Sequence, residues 1–130
     1  MALKPEIREA ILEILKRSLK KLCPPMVCTK ETSVSIEIIG NTPVPYGSTK
    51  KIVPGMYFAS AVARKDMVSF YFMPVYYHRA DYVDIAPTLL RSLKGKACFN
   101  FKKLEQLETK ELDQLLKKGV SAWKKLGYTR

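Results

Sequence analysis

An α+β fold, with helices on one face of a largely antiparallel four-stranded sheet, is predicted by three features of this 130-residue sequence. Apolar residues recur at helical spacing near both ends of the chain. β-rich runs with alternating side chains fill the middle. The two longest of these runs are joined only by Lys65-Asp66, a connection that favours an antiparallel hairpin. The order along the chain is α-β-β-β-α-β-α, in a single domain over residues 1–130.

The first helix spans about residues 4–22: Ile7, Ile11, Ile14, Leu15 and Leu22 share a face, Pro5 suits a first turn, and Pro24-Pro25 cannot continue the helix. A β-rich middle follows over residues 32–77. It opens with a strand whose Val34, Ile36 and Ile38 face one side and Ser35 and Glu37 the other. Residues 40–48 are dense in turn formers and read as the longest loop, part of which can pair as an irregular edge. In the hairpin of residues 56–64 and 67–76, Phe58, Val62, Val68, Phe70 and Phe72 form the expected core face, and Tyr57 and Tyr71 point away. Pro74 ends the ladder or sits at its edge, having no amide proton to donate. A short helix over residues 86–94 starts with Pro87 near its first turn and is closed by Gly95. A strand over residues 96–102 precedes a C-terminal helix over residues 109–126, with Thr109 as N-cap and Leu112, Leu116, Val120 and Trp123 as its apolar stripe.

Two segments carry a family resemblance: Met67-Val-Ser-Phe-Tyr-Phe-Met-Pro-Val-Tyr76 and Lys94-Gly-Lys-Ala-Cys-Phe-Asn-Phe-Lys-Lys103, in that order and with a helix between them. In both, the chain resembles the YdhG-like bacterial domains of unknown function, over about residues 22–126. What the resemblance implies is structural, because that family has no agreed active site. Some members of the wider family are described as frataxin-like iron chaperones, which implies carboxylates able to take iron.

The bulk numbers narrow the functional classes. No apolar run is long enough for a membrane span, and acidic residues interrupt the N-terminal stretch where a signal peptide would be apolar, so the expected address is cytoplasmic. The three cysteines, Cys23, Cys28 and Cys98, suit reduced, mostly buried thiols. With one histidine, His78, and no serine or cysteine marked as activated, no catalytic residue is assigned and a non-enzymatic role is expected.

The net charge of +11 is concentrated at the ends: residues 1–30 carry seven Lys or Arg against three acids, and residues 94–130 carry ten against four. Should the terminal helices lie side by side, Lys16, Arg17, Lys20, Lys21, Lys117, Lys118, Lys124 and Lys125 would merge into a basic surface for weak nucleic-acid association. Iron binding would use Glu6, Glu9 and Glu13, which share a stripe of the first helix; continuing that stripe gives Lys16 and Lys20, the pattern of a solvated face matched to the helix dipole. No cofactor is implied otherwise.

The favoured functional surface is the sheet face left without helices. Its candidate residues for a small ligand or a protein partner, a second copy of the chain included, are Tyr57, Tyr71, Met73, Tyr76, Tyr77, Lys96 and Asn100. The alternative is that Pro74, the loop of residues 40–48 and the chain after Tyr77 fold over that face and make it a minor core.

Overall fold

The computed structural model describes residues 2–130. It is α+β, with a mostly antiparallel sheet and four helices. The sheet has six strands where the sequence predicted four. Helix α1 (Pro5–Lys20) leads into β1 (Val27–Thr32) and β2 (Ser35–Ile39), and a separate small hairpin is formed by β3 (Val44–Tyr46) and β4 (Lys51–Val53). Strands β5 (Tyr57–Ala63) and β6 (Val68–Phe72) make the central hairpin. Next come α2 (Met73–Tyr77), a 3-10 turn at Arg79–Tyr82, α3 (Pro87–Leu90), β7 (Leu93–Lys94), β8 (Cys98–Phe101) and α4 (Thr109–Lys125). The large sheet runs β1-β2-β5-β6-β8-β7.

The two additional strands are the edges. All six residues of β1 are exposed, so the strand carries no apolar alternation that sequence could reveal; pairing with β2 makes it a strand. β7 has two residues, and Gly95, at φ +73°, supplies the turn between β7 and β8 instead of closing a helix. Val34, expected on the core face, is half exposed and falls between β1 and β2. Strand β6 stops at Phe72, not at residue 76: Pro74 lies in the first turn of α2, where a missing amide proton costs nothing. Glu108, not Thr109, caps α4, its carboxylate accepting from the Lys110 amide.

A register shift in β5 determines which side chains meet the helices. Ile38 pairs with Ala59 and Ile39 with Tyr57, so Phe58 is an extra residue, a β-bulge. Phe58 and Ala59 are both fully buried. The alternation resumes one step displaced, with Ala59 and Ala61 opposite Phe72 and Phe70 in the core. Val62, predicted to accompany Phe58, therefore pairs with Ser69 on the helix-free face.

Small residues on β5 leave room for the aromatic rings from β6, β8 and the helices. The Phe58 ring meets those of Phe72 and Trp123 edge-on, at 5.5 Å in each case. Trp123 donates its indole proton to the Met56 carbonyl at 3.3 Å, a buried bond that ties α4 to the start of β5. Leu12, Leu15 and Leu19 of α1 and Leu112, Leu115 and Leu116 of α4 complete the same core. Glu111 holds α3 against α4 by accepting from the Thr88 and Leu89 amides at 2.8 and 3.1 Å.

Gly119 is the point of closest approach between α4 and the rings: a Cβ there would lie 2.5 Å from Phe72 Cζ and 3.1 Å from Phe58 Cε1. Replacing a helical glycine with alanine ordinarily gains about 1 kcal/mol, whereas overpacking a core costs about 1–3 kcal/mol. With two rings in the way, the bulkier Gly119→Val is expected to lower unfolding free energy by about 2 kcal/mol or more in urea titration. Unchanged or increased stability would contradict this packing.

Candidate functional site

The helix-free face of the sheet carries a groove of ≈ 570 Å³. Its floor is built from alternate residues of the central strands: Glu37 and Ile39 from β2, Tyr57 from β5 and Tyr71 from β6. Ala97 and Met73 close one end, and Tyr46, Val53 and Pro54 of the β3–β4 hairpin form a wall. The hairpin is anchored where Gly40 and Gly55 meet backbone to backbone, because a Cβ on Gly55 would run into the Gly40 carbonyl. A Gly40 amide bond to the Met56 carbonyl at 2.9 Å fixes the same junction. The C-terminal residues strap it from outside: the Thr42 amide donates to the Tyr128 carbonyl, and Asn41 exchanges hydrogen bonds with Arg130.

Both floor tyrosines use their hydroxyls on the sheet itself. Tyr57 Oη is hydrogen-bonded to Ser60 Oγ, and Tyr71 Oη accepts from Arg64 Nη2 at 2.8 Å. Arg64 Nε also donates to Ser69 Oγ, which donates to Asn100 Oδ1, both at 3.0 Å; Cys98 Sγ reaches the same oxygen at 3.4 Å. Beyond Tyr71 the face is thus a closed polar network. Burial pushes the Tyr57 phenol up to about 12, against the opposing effect of its bond to Ser60, and the nearby Glu37 charge adds to the rise. Glu37 is the one charged residue lining the groove among the described residues, and its Oε2 accepts from Thr29 Oγ1 at 2.9 Å.

Of the ligand-surface candidates, the structure brings together Tyr57, Tyr71 and Met73. It separates the others from them. Tyr76 lies at the sheet end beneath Lys96, whose Nζ is 5.5 Å from the ring centroid. Tyr77 stands against Trp123 on the helix side, 5.6 Å between centroids. Asn100 faces the same side as Tyr71 but belongs to the polar network. The contribution of Val53 and Pro54 was missed because the hairpin beside them begins in what reads as loop, and Ile39, at the end of a recognised strand, was not singled out. The 40s segment walls the groove instead of filling it, while the chain after Tyr77 crosses to the helix side, where Tyr82 and Ala86 are buried in the main core.

The basic residues occupy other surfaces. Lys16 and Lys20 of α1 both pair with Glu31 on β1, at 3.7 and 3.0 Å, and Arg17 pairs with Glu13. Lys16, Arg17, Lys20 and Lys21 line one cleft with those acids, whereas Lys118 and Lys125 line another with His78 and Asp81. Lys117 and Lys124 are exposed on α4. The Lys20 bond lowers the pKa of Glu31 and raises that of Lys20. Both groups are solvent-exposed, so the pair adds little to stability.

Among the described residues no three His, Cys, Asp or Glu side chains gather to hold a metal ion; Glu6 and Glu9 are exposed, and Glu13 is taken by Arg17. All three cysteines are free thiols, and Cys28, expected among mostly buried thiols, is exposed on edge strand β1. Among the described residues no helix is long and apolar enough to cross a membrane. No family model, curated protein or solved structure matches the chain.

Two phenols, half-buried Tyr57 in the groove floor and buried Tyr82 in the core, give the protein an alkaline signature. Tyr57 and Tyr82 are each raised to about 12 from an ordinary 10.0, so folding favours their protonated forms. Their contribution to stability is fully present below pH 10 and is lost as pH rises through about 12. In absorbance titration at 295 nm these two are expected to ionise last, and Tyr57→Phe removes one late step. Ionisation of every tyrosine near pH 10 would contradict the burial.

Proposed function

We propose that this chain is a non-enzymatic binding module that takes a small, largely apolar ligand in the tyrosine-floored groove, and that its kinship is with the YdhG-like domains. The observation carrying the functional reading is the groove's size and apolar lining. A volume of ≈ 570 Å³ lies within the roughly 300–1,000 Å³ typical of small-molecule sites, and its lining is mainly apolar with few polar groups. The hairpin wall stands beside the tyrosine floor, so a small molecule lying in the open groove meets side chains on two sides. Kinship with YdhG-like domains rests on the two sequence segments alone, which contribute Tyr71, Met73 and Ala97 to the groove.

Two other readings have weaker support. For nucleic acid, binding is strongest where aromatic rings interleave with cations along one groove. Here the tyrosine floor lies on one sheet face and the α1 and α4 lysines on the other, and two of those lysines are paired with Glu31. For iron chaperoning, Glu6, Glu9 and Glu13 offer a helix stripe without a gathered set of ligands.

Blocking the groove separates the readings. Uncharged aromatic probes such as indole and naphthol are expected to shift the amide resonances of Ile39, Tyr57, Tyr71 and Ala97. Ala97→Trp, which fills the space at the groove's end, is expected to weaken that binding about tenfold or more, the equivalent of about 1.4 kcal/mol. Probe shifts confined to the helix side, or unaffected by Ala97→Trp, would defeat the assignment.

A further inference from the structure

The groove's lining carries the opposite sign of charge to the protein as a whole. In a chain of net charge +11, the cavity lining contains one ionisable carboxylate, Glu37, and no Lys or Arg. Lys30 stands opposite Glu37 in the β1–β2 register, yet no ion pair joins them. Glu37 Oε2 is oriented by Thr29, which donates to it.

The two floor tyrosines point to the same ligand class. Tyr57 reaches Ser60 three residues further along its own strand, and Tyr71 reaches Arg64, so both rings extend over the sheet with their hydroxyls already bonded. A ligand entering the groove therefore meets these rings, with their hydroxyls already engaged, among aliphatic neighbours. The face of an aromatic ring is the negative part of its quadrupole and attracts cations, most effectively in a desolvated site. Tyr46 on the hairpin wall adds a third ring.

We propose that the groove selects an amphiphilic organic cation, an alkyl- or arylammonium whose head sits between the Glu37 carboxylate and the tyrosine rings and whose apolar tail lies along Ile39, Val53 and Ala97. This assignment rests on the groove being a ligand site. The overall positive charge opposes cations at long range, but at physiological ionic strength the screening length is about 8 Å, so the groups lining the groove decide. Arg64 is held beyond Tyr71 by Ser69 and the Tyr71 hydroxyl and does not line the cavity. An anionic amphiphile would meet Glu37, with no Lys or Arg in the groove lining.

Three probes of matched tail and different head test this on the full chain: octyltrimethylammonium, octanol and octanoate, each below its micellar concentration, followed by calorimetry and amide chemical shifts. The cation is expected to bind about tenfold or more tightly than the other two, with shifts at Ile39, Tyr57, Tyr71 and Ala97. Glu37→Gln keeps an oxygen for Thr29 and is expected to lower the cation's affinity several-fold, toward that of octanol, while leaving octanol unchanged. Equal binding of the three probes, or a cation affinity that survives Glu37→Gln, overturns the charge selection and leaves the groove an apolar site. Absence of shifts at those residues with every probe overturns the groove reading as well.

Discussion

One extra residue in strand β5 determines what each face of this sheet can do. Side chains in a strand alternate between faces, so an insertion of one residue moves every later residue to the opposite side. At Phe58 and Ala59 the bulge sends two consecutive residues into the core. Tyr57 before it and Ser60 after it consequently share the helix-free face, where they bond to each other. Without the bulge, Phe58 and Tyr57 could not occupy these two positions while β2 and β5 kept their pairing on both sides.

The two faces are opposite in character because of that division. Toward the helices, the alanines of β5 lie between bulky neighbours, and the rings of Phe58, Phe70, Phe72 and Trp123 fill the space they leave. Pairs of rings in such edge and stacked arrangements add about 0.5–1.5 kcal/mol each beyond their burial. Toward the groove, the same strands present Glu37, Tyr57, Ser60 and Tyr71, a surface half covered by the β3–β4 hairpin. Trp123 links the two sides: its indole holds the Met56 carbonyl, which also accepts from the Gly40 amide where the hairpin begins.

Much of this architecture was legible in the sequence, and the failures have local causes. Helices α1 and α4 and the β5–β6 hairpin follow from apolar periodicity and a short turn, and Tyr57, Tyr71 and Glu37 were correctly assigned to the helix-free face. Strand β1 was invisible because an edge strand exposed throughout needs no apolar pattern. The bulge left no signal, since Phe58-Ala59-Ser60-Ala61-Val62 alternates acceptably in either register. The run through Met73-Pro74-Val75-Tyr76 was read as the end of a strand, with Pro74 ending the ladder or at its edge, but Pro74 is equally suited to a first helical turn, and the helix it starts carries Tyr77 to the Trp123 side. The groove wall was hidden in a segment whose turn formers disguised two three-residue strands.

Proton–proton contacts measured by NMR across β5 test the bulge most directly. The structure predicts cross-peaks from the Phe58 ring to Gly119 and Trp123, from the Tyr57 ring to Ser60, and between the backbones of Ile38 and Ala59 and of Ile39 and Tyr57. Cross-peaks placing the Phe58 ring beside Tyr71, or the Tyr57 ring against Gly119, would reverse the faces and contradict both the core and the groove.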